Sequence, residues 1–280
     1  MDNTRHFCLY RSFLKRVCHM ELRVDLGPTD KTQLLAFIQR ASARTEIAKR
    51  QDYLAKRRAL GVSKTTIWHA MTVCLLTSRQ RSTRNGRVYK FLDLDDMPLS
   101  WFHVGKYKDD AELRSYVENT IFNAGLRMNK RISGFVVQNR EWLVNNDGFG
   151  QLTNKLTTLA EMAETDPLRG KTERKLAQEL DFALAGIGPK QGRNFLLNMG
   201  LARDDIPLDS RVLAWLSEKL PPSENGMELP QSMLADEGAY SMLMDAIQAL
   251  CDGQQIELKE GAEPTLLRPI YLDAVMFDDE

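Results

Sequence analysis

The sequence predicts an all-α fold of two packed helical subdomains. Apolar side chains recur at three- and four-residue spacing through most of the chain, residues that cap helices precede many of these runs, and signals for strands are weak. Of the 280 residues, 43% are hydrophobic and 27% are charged, which is ordinary for a globular protein with one large or two modest cores. We expect a basic helical extension at residues 1–62 and a core at residues 63–280.

The elements follow from caps, breakers and apolar spacing. Thr29 can cap a long helix that Gly61 ends near residue 60, and Ser63 can cap the next helix at 64–77. The segment 85–108 is predicted to be irregular, with Trp101 and Phe102 packing as a satellite cluster. Further helices are predicted at about 111–124, 130–144, 152–164, 172–184, 189–199, 237–251 and 264–277.

A tight Gly-Ile-Gly hairpin joins the predicted helices at 172–184 and 189–199. The first helix should bury one face, because apolar residues recur in it at Leu176, Leu180, Phe182, Ala183 and Leu184. Gly186 supplies the conformation that ends this helix, and Pro189 suits the first position of the second. The backbone donors at such a helix start favour an anion such as a phosphate, and Lys190 emerges beside them.

A carboxylate follows nineteen residues after this lysine. Pro207 disfavours a helical conformation for Ile206, and the run 211–216 has helical character. Asp209 is therefore predicted at the N-cap or in the first turn of the next helix.

The segment 184–216 resembles a known family. Its residues Leu184-Ala185-Gly186-Ile187-Gly188-Pro189-Lys190 and Ile206-Pro207-Leu208-Asp209-Ser210-Arg211 are similar to the helix-hairpin-helix and Gly/Pro-Asp loop of a DNA glycosylase superfamily, in the lysine-bearing version of 8-oxoguanine DNA glycosylases. The resemblance implies a glycosylase core at 63–280, a hairpin at 172–200, a catalytic loop at 204–216 and a DNA-binding cleft between the subdomains. It also implies that Lys190 attacks the sugar and that Asp209 assists. A lone Gly-X-Gly is usually a helix cap and turn, so the hypothesis depends on Pro189, Lys190 and Asp209 occurring in register.

Two shorter resemblances lie outside the hairpin. The run Val73-Cys74-Leu75-Leu76-Thr77-Ser78-Arg79-Gln80-Arg81-Ser82 is similar to the helix and Ser-X-Gln turn from which endonuclease III pushes a polar side chain into the duplex, which would make Gln80 the residue that fills the gap left by a flipped base. The closing run 272–277 resembles the final helix of archaeal-type oxoguanine glycosylases.

Charge is distributed unevenly along the chain. Residues 1–90 carry 19 Lys and Arg against 6 Asp and Glu, and the remaining residues carry 19 against 32. The basic third is the natural DNA face. A group at Lys49, Arg50, Lys56, Arg57 and Arg58 can be part of that face or a solvated helix surface. The predicted DNA-binding residues are Gly186, Gly188, Gln191, Gln80, Arg79, Arg81, Arg84 and Arg87.

The predicted activity is excision of a modified base, with 8-oxoguanine as the first choice. Attack of the Lys190 amine on C1′ would give an imine, which also permits β-elimination at the abasic site, while Asp209 would stabilise positive charge on the sugar. Three alternatives stay open. The base can be a hypermodified phage base such as glucosylated hydroxymethylcytosine, removed in defence against phage; the protein can be a lyase for existing abasic sites; or it can be a noncatalytic DNA-binding module.

Cofactors and partners are predicted mainly from what is missing. The four cysteines, Cys8, Cys18, Cys74 and Cys251, are too scattered for a disulfide framework, a zinc site or an iron-sulfur cluster. We expect no cofactor and no metal at the catalytic residues, with a monovalent cation at the hairpin left open. The expected partner is double-stranded DNA with a modified base, and the protein is expected to be a cytoplasmic monomer without membrane contact, because no signal-type apolar run follows the N-terminus.

Overall fold

A computed structural model describes residues 38–78, 85–210, 212–214, 231–258 and 263–278, together with the single residues 32, 36 and 80. The described chain is mainly helical, with one two-stranded antiparallel pair, so the prediction of an all-α fold is confirmed. The helices are α1 Ala41–Ala59, α2 Lys64–Thr77, α3 Arg87–Leu92, α4 Trp101–Val104, α5 Asp110–Asn123, α6 Asn129–Asn145, α7 Gly148–Glu161, α8 Arg169–Ala183, α9 Pro189–Asn198, α10 Glu237–Cys251 and α11 Pro269–Asp278, with a 3-10 helix at Gln231–Ala235. Strands β1 Gln255–Ile256 and β2 Thr265–Leu266 lie between α10 and α11.

Helix α2 is the centre of the apolar core. Ser63 begins it with a capping box, in which its side chain accepts from the backbone of Thr66 and the Thr66 hydroxyl accepts in return. The helix packs against α4, α6, α7 and α9, and most of its length is buried. Its buried apolar side chains are Ile67, Trp68, Ala70, Met71, Cys74, Leu75 and Leu76.

Helix α1 packs on both α9 and α11. Ile47 and Leu54 are buried in the same core as α2. Arg57 Nε donates to the carbonyl of Asn198 at 2.6 Å, and Arg50 lies 2.9 Å from Asp273. The described part of the N-terminal segment is thus joined closely to the rest of the protein, and the boundary at residue 62 stays a prediction.

Five local expectations were wrong. Residues 39 and 40 form a turn and a bend, so the helix that ends at Ala59 begins at Ala41 instead of running on from Thr29, which lies outside the described residues. The segment predicted to be irregular contains α3 and α4. Residues 265–266 pair as a strand, so the last helix begins at Pro269, where a proline needs no hydrogen-bond acceptor.

The other two expectations concerned aromatic residues. Trp101 joins the main core, with its ring centroid 5.1 Å from that of Trp68 and 4.9 Å from that of Phe149, whereas Phe102 is 70% exposed. Phe182 is 83% exposed although it was placed on the buried face of its helix. Leu176 and Leu180, four residues apart, define that face, and a side chain two positions after Leu180 points to the opposite side.

Candidate active site

The hairpin between α8 and α9 contains two glycines with different environments. Gly186 has φ +80°, and a Cβ there would come within 2.4 Å of the Phe135 ring and 2.8 Å of Leu75. Gly188 is the N-cap of α9 with an extended backbone, and a Cβ on it would meet nothing within 4 Å. The fold therefore requires a glycine at 186, whereas Gly188 leaves the backbone at the start of α9 open to an approaching ligand.

Asn139, on α6, binds the backbone of the hairpin at Ala185. The N–H of Ala185 donates to Asn139 Oδ1 at 2.6 Å, and Asn139 Nδ2 donates to the carbonyl of Ala185 at 3.0 Å. Asn139 is buried and Ala185 is half-buried, so loss of the amide would leave two backbone groups with restricted access to water. Sequence patterns do not reveal this residue, since the contact joins positions 46 apart in the chain.

Lys190 and Asp209 meet beside the open end of α9. Lys190 Nζ lies 2.9 Å from Asp209 Oδ2, with 33% of the lysine side chain and 11% of the aspartate side chain exposed. The other oxygen, Oδ1, accepts from the backbone N–H of Val212 at 3.2 Å, so Asp209 caps the helical segment that follows it. One carboxylate thus fixes a helix with one oxygen and contacts the amine with the other.

Glu173 anchors the loop that leads to Asp209. This fully buried carboxylate on α8 accepts the backbone N–H groups of Arg203, Asp204 and Asp205 at 2.9 to 3.1 Å. Burial raises the pKa of Glu173 to about 8, and the backbone donors oppose the shift. Burial also raises the pKa of Asp205 to about 6, against the opposing charges of Arg193 and Arg174.

A further buried carboxylate lies within the electrostatic reach of Lys190 and Asp209. Asp273 on α11 is buried, and its Oδ2 is 2.9 Å from a guanidinium nitrogen of Arg50 on α1. Burial raises the pKa of Asp273, the charge of Arg50 opposes the rise, and the negative charge of Asp209 adds to it. Helices α1 and α11 therefore share an ion pair whose carboxylate interacts electrostatically with Asp209.

Gln80 lies at the end of α2 with both ends of its amide bonded. Its Nε2 donates to the carbonyl of Leu76 at 2.9 Å, and its Oε1 accepts from the backbone of Arg127 at 2.8 Å. Arg87 is exposed and donates to the carbonyl of Gly125 at 3.2 Å. The other predicted contacts of this turn, Arg79, Arg81 and Arg84, lie outside the described residues.

Gln191 and the basic group on α1 are placed less favourably for contact with DNA. Gln191 is buried, its side chain accepts from Asn194 at 3.1 Å, and its carbonyl accepts from the Cys74 thiol at 3.4 Å, so its side chain does not lie on the surface. The basic group on α1 makes contacts within the protein: Arg50, Arg57 and Arg58 bind other elements, and Lys49 and Lys56 pair within the helix.

No protein-family model and no curated protein sequence matches the chain. A structural comparison does find a match, to a crystal structure of the 8-oxoguanine DNA glycosylase of Thermotoga maritima. The match covers 88% of this chain and 93% of that one, with 16% sequence identity and a TM-score of 0.54. The chain has the fold of an 8-oxoguanine DNA glycosylase.

Among the described residues, no group of three His, Cys, Asp or Glu side chains is arranged to hold a metal ion. No helix in the same part of the chain is long and apolar enough to cross a membrane. Cys74 and Cys251 are both buried and free.

Proposed function

We propose that the protein is a DNA glycosylase that excises a modified base from a duplex, with 8-oxoguanine as the first substrate to test and with an accompanying lyase step. The observation that carries the proposal is the 2.9 Å contact between Lys190 Nζ and Asp209 Oδ2, at the open N-terminus of α9. Simple DNA binding does not require an amine and a carboxylate in contact beside a helix N-terminus.

One surface supports binding to a duplex. The N-terminus of α9 is unobstructed at Gly188 and suits a phosphate. Arg131 stacks 5.3 Å from the Phe135 ring, which in turn contacts Gly186, so exposed basic residues continue from the hairpin toward the Gln80 turn. These exposed residues are Arg87, Arg127, Lys130 and Arg131. Their side chains can neutralise phosphates on either side of a flipped base.

The chemistry assigns separate tasks to the two catalytic residues. The Lys190 ammonium passes a proton to Asp209 Oδ2, and the neutral amine attacks C1′ of the flipped nucleotide. The N-glycosidic bond breaks and the base leaves with that proton, which restores the carboxylate opposite the positive charge on the sugar. The C1′–O4′ bond of the adduct then opens, with O4′ taking a proton from the lysine nitrogen, which leaves a protonated imine between that nitrogen and C1′. Loss of a proton from C2′ breaks the C3′–O bond and releases the 3′ phosphate.

Borohydride trapping on a duplex with 8-oxoguanine opposite cytosine tests the proposal. The wild-type protein should form a covalent adduct, Lys190→Gln should form none, and Lys175→Gln, which alters an exposed lysine on α8, should behave as the wild type. A covalent adduct with Lys190→Gln would contradict the assignment of the nucleophile.

Parallel substrates separate the alternatives. Trapping on a preformed abasic site without release of any base would indicate a lyase alone. Release from glucosylated phage DNA, with none from the 8-oxoguanine duplex, would assign the protein to defence against phage. If alanine at both Lys190 and Asp209 left all activities unchanged, the protein would be a binding module.

A further inference from the structure

Tyr240 contacts the chain immediately before Asp209. This buried residue of α10 donates its hydroxyl proton to the carbonyl of Ile206 at 2.8 Å and accepts a hydrogen bond from the backbone N–H of Leu208. The two groups flank Pro207, which has no N–H of its own. One hydroxyl therefore satisfies the backbone on both sides of the proline.

The bonds lie where water cannot replace them. Ile206 and Leu208 are both fully buried, so removal of the hydroxyl would leave an N–H and a carbonyl without a partner in an apolar environment. Burial raises the pKa of Tyr240 well above 10, so the phenol keeps its proton under assay conditions. The chain would have to move to satisfy these groups, and the next residue along it is Asp209.

Arg193 fixes the tyrosine ring relative to the lysine. Its guanidinium carbon lies 4.1 Å from the centroid of Tyr240, and its nitrogens lie 2.8 Å from Asp205 and 2.7 Å from Glu237. Arg193 is three residues after Lys190 on α9, within one turn. A single buried guanidinium thus joins the helix of the lysine, the helix of the tyrosine and the loop of the aspartate.

We infer that Tyr240 is a positioning residue, which sets the place of Asp209 relative to Lys190 by binding the backbone of Ile206 and Leu208. The inference rests on the proposed function for its catalytic meaning, because it assumes that Asp209 acts on the sugar. It adds a residue that is not proposed to contact the substrate or Lys190. Its hydroxyl sets the geometry between Lys190 and Asp209.

Tyr240→Phe tests this with the loss of one oxygen atom. Single-turnover excision should fall about 10- to 100-fold, since displacement of a catalytic group by about 1 Å costs a factor of that order, while affinity for the duplex stays unchanged. Trapping on a preformed abasic site should fall less, because imine formation with an open aldehyde depends mainly on the lysine. Tyr116→Phe is the matched control, since its hydroxyl also binds a carbonyl at 2.8 Å, that of Pro98, and should leave excision within about twofold.

Hydrogen exchange supplies a readout that needs no activity. The backbone of residues 204–210 should exchange faster in Tyr240→Phe than in the wild type, whereas α5 should not change. Unchanged exchange would overturn the inference. Excision by Tyr240→Phe at the rate of the wild type would also overturn it and leave the proposed function intact. If the wild-type protein itself releases no base, the proposed function is refuted, and hydrogen exchange alone decides whether Tyr240 positions the backbone.

A second variant covers the case in which Tyr240→Phe does not fold. Arg193→Lys keeps the charge and loses the planar group above the ring. It should slow excision with the same spared affinity, and full excision by this variant would likewise contradict the positioning.

Discussion

The two hairpin glycines should respond in opposite ways to the same substitution. In Gly186→Ala the new Cβ meets the Phe135 ring at 2.4 Å and Leu75 at 2.8 Å, on a backbone with φ +80°. The left-handed conformation costs an alanine about 1–2 kcal/mol, and overpacking of a filled core costs about 1–3 kcal/mol more. We therefore expect Gly186→Ala to lower the free energy of unfolding by about 2–5 kcal/mol.

Gly188→Ala should leave the fold nearly unchanged and weaken DNA binding. Its Cβ projects into open space from an extended backbone, and the loss of glycine at an N-cap is offset in part by lower entropy of the unfolded chain, so stability should stay within about 1 kcal/mol. If a phosphate approaches the start of α9, the methyl group occupies its path. Loss of one such contact should raise Kd about tenfold, which corresponds to about 1.4 kcal/mol.

Urea unfolding and fluorescence anisotropy with a labelled duplex measure the two effects separately. The anisotropy is measured at one fixed salt concentration, because phosphate contacts weaken with salt. Two results would refute the reasoning: wild-type affinity in Gly188→Ala, or a loss of stability there as large as in Gly186→Ala. The first would remove the hairpin from the DNA interface, and the second would mean that Gly188 is structural.

Three further predictions concern the supports of the site. Burial raises the pKa of Glu173 from 4.5 to about 8, so its protonated form stabilises the fold below pH 4.5 and this contribution is lost as the pH rises through 8. In Glu173→Gln, unfolding free energies measured in urea should therefore fall between pH 5 and pH 8 by roughly 3–4 kcal/mol less than in the wild type; an equal decrease in both would show that another group titrates. Asn139→Ala removes the partner of two half-buried backbone groups of Ala185 and should cost about 2–4 kcal/mol in the same assay, and a cost near zero would contradict its role. Gln80→Ala should slow base flipping, followed by 2-aminopurine fluorescence, about tenfold with a stability loss of about 1 kcal/mol, and unchanged flipping would exclude Gln80 as the gap filler.

The parts of the site that depend on local rules could be predicted from the sequence. Gly186 at the end of a helix, Pro189 at the start of the next and Asp209 at an N-cap each follow from the backbone preferences of one residue. Their order along the chain, together with Lys190, carries the resemblance to the glycosylase motif, and that resemblance predicted a pair that the structure places 2.9 Å apart.

The supports of the site could not be predicted in this way. Asn139, Glu173 and Tyr240 bind backbone groups 30 to 46 residues away, and no local preference marks a polar side chain as the partner of a distant carbonyl. The prediction that Phe182 is buried was wrong for a local reason, because its apolar character was counted without regard to its angle around the helix. Arg50 and Arg57 lie in a basic cluster of the kind that DNA-binding surfaces contain. Only the packing of α1 shows that they bind other parts of the protein.

The two oxygens of Asp209 make different contacts, and this limits how far the site has to rearrange. In the proposed reaction the lysine nitrogen passes from an ion pair to a covalent adduct, while Oδ1 stays bound to the N–H of Val212. Oδ2 can then face the cationic sugar without any rotation of the carboxylate. A charged group that is already oriented when charge develops on the substrate does not have to reorganise during the reaction. Here a helix cap maintains that orientation.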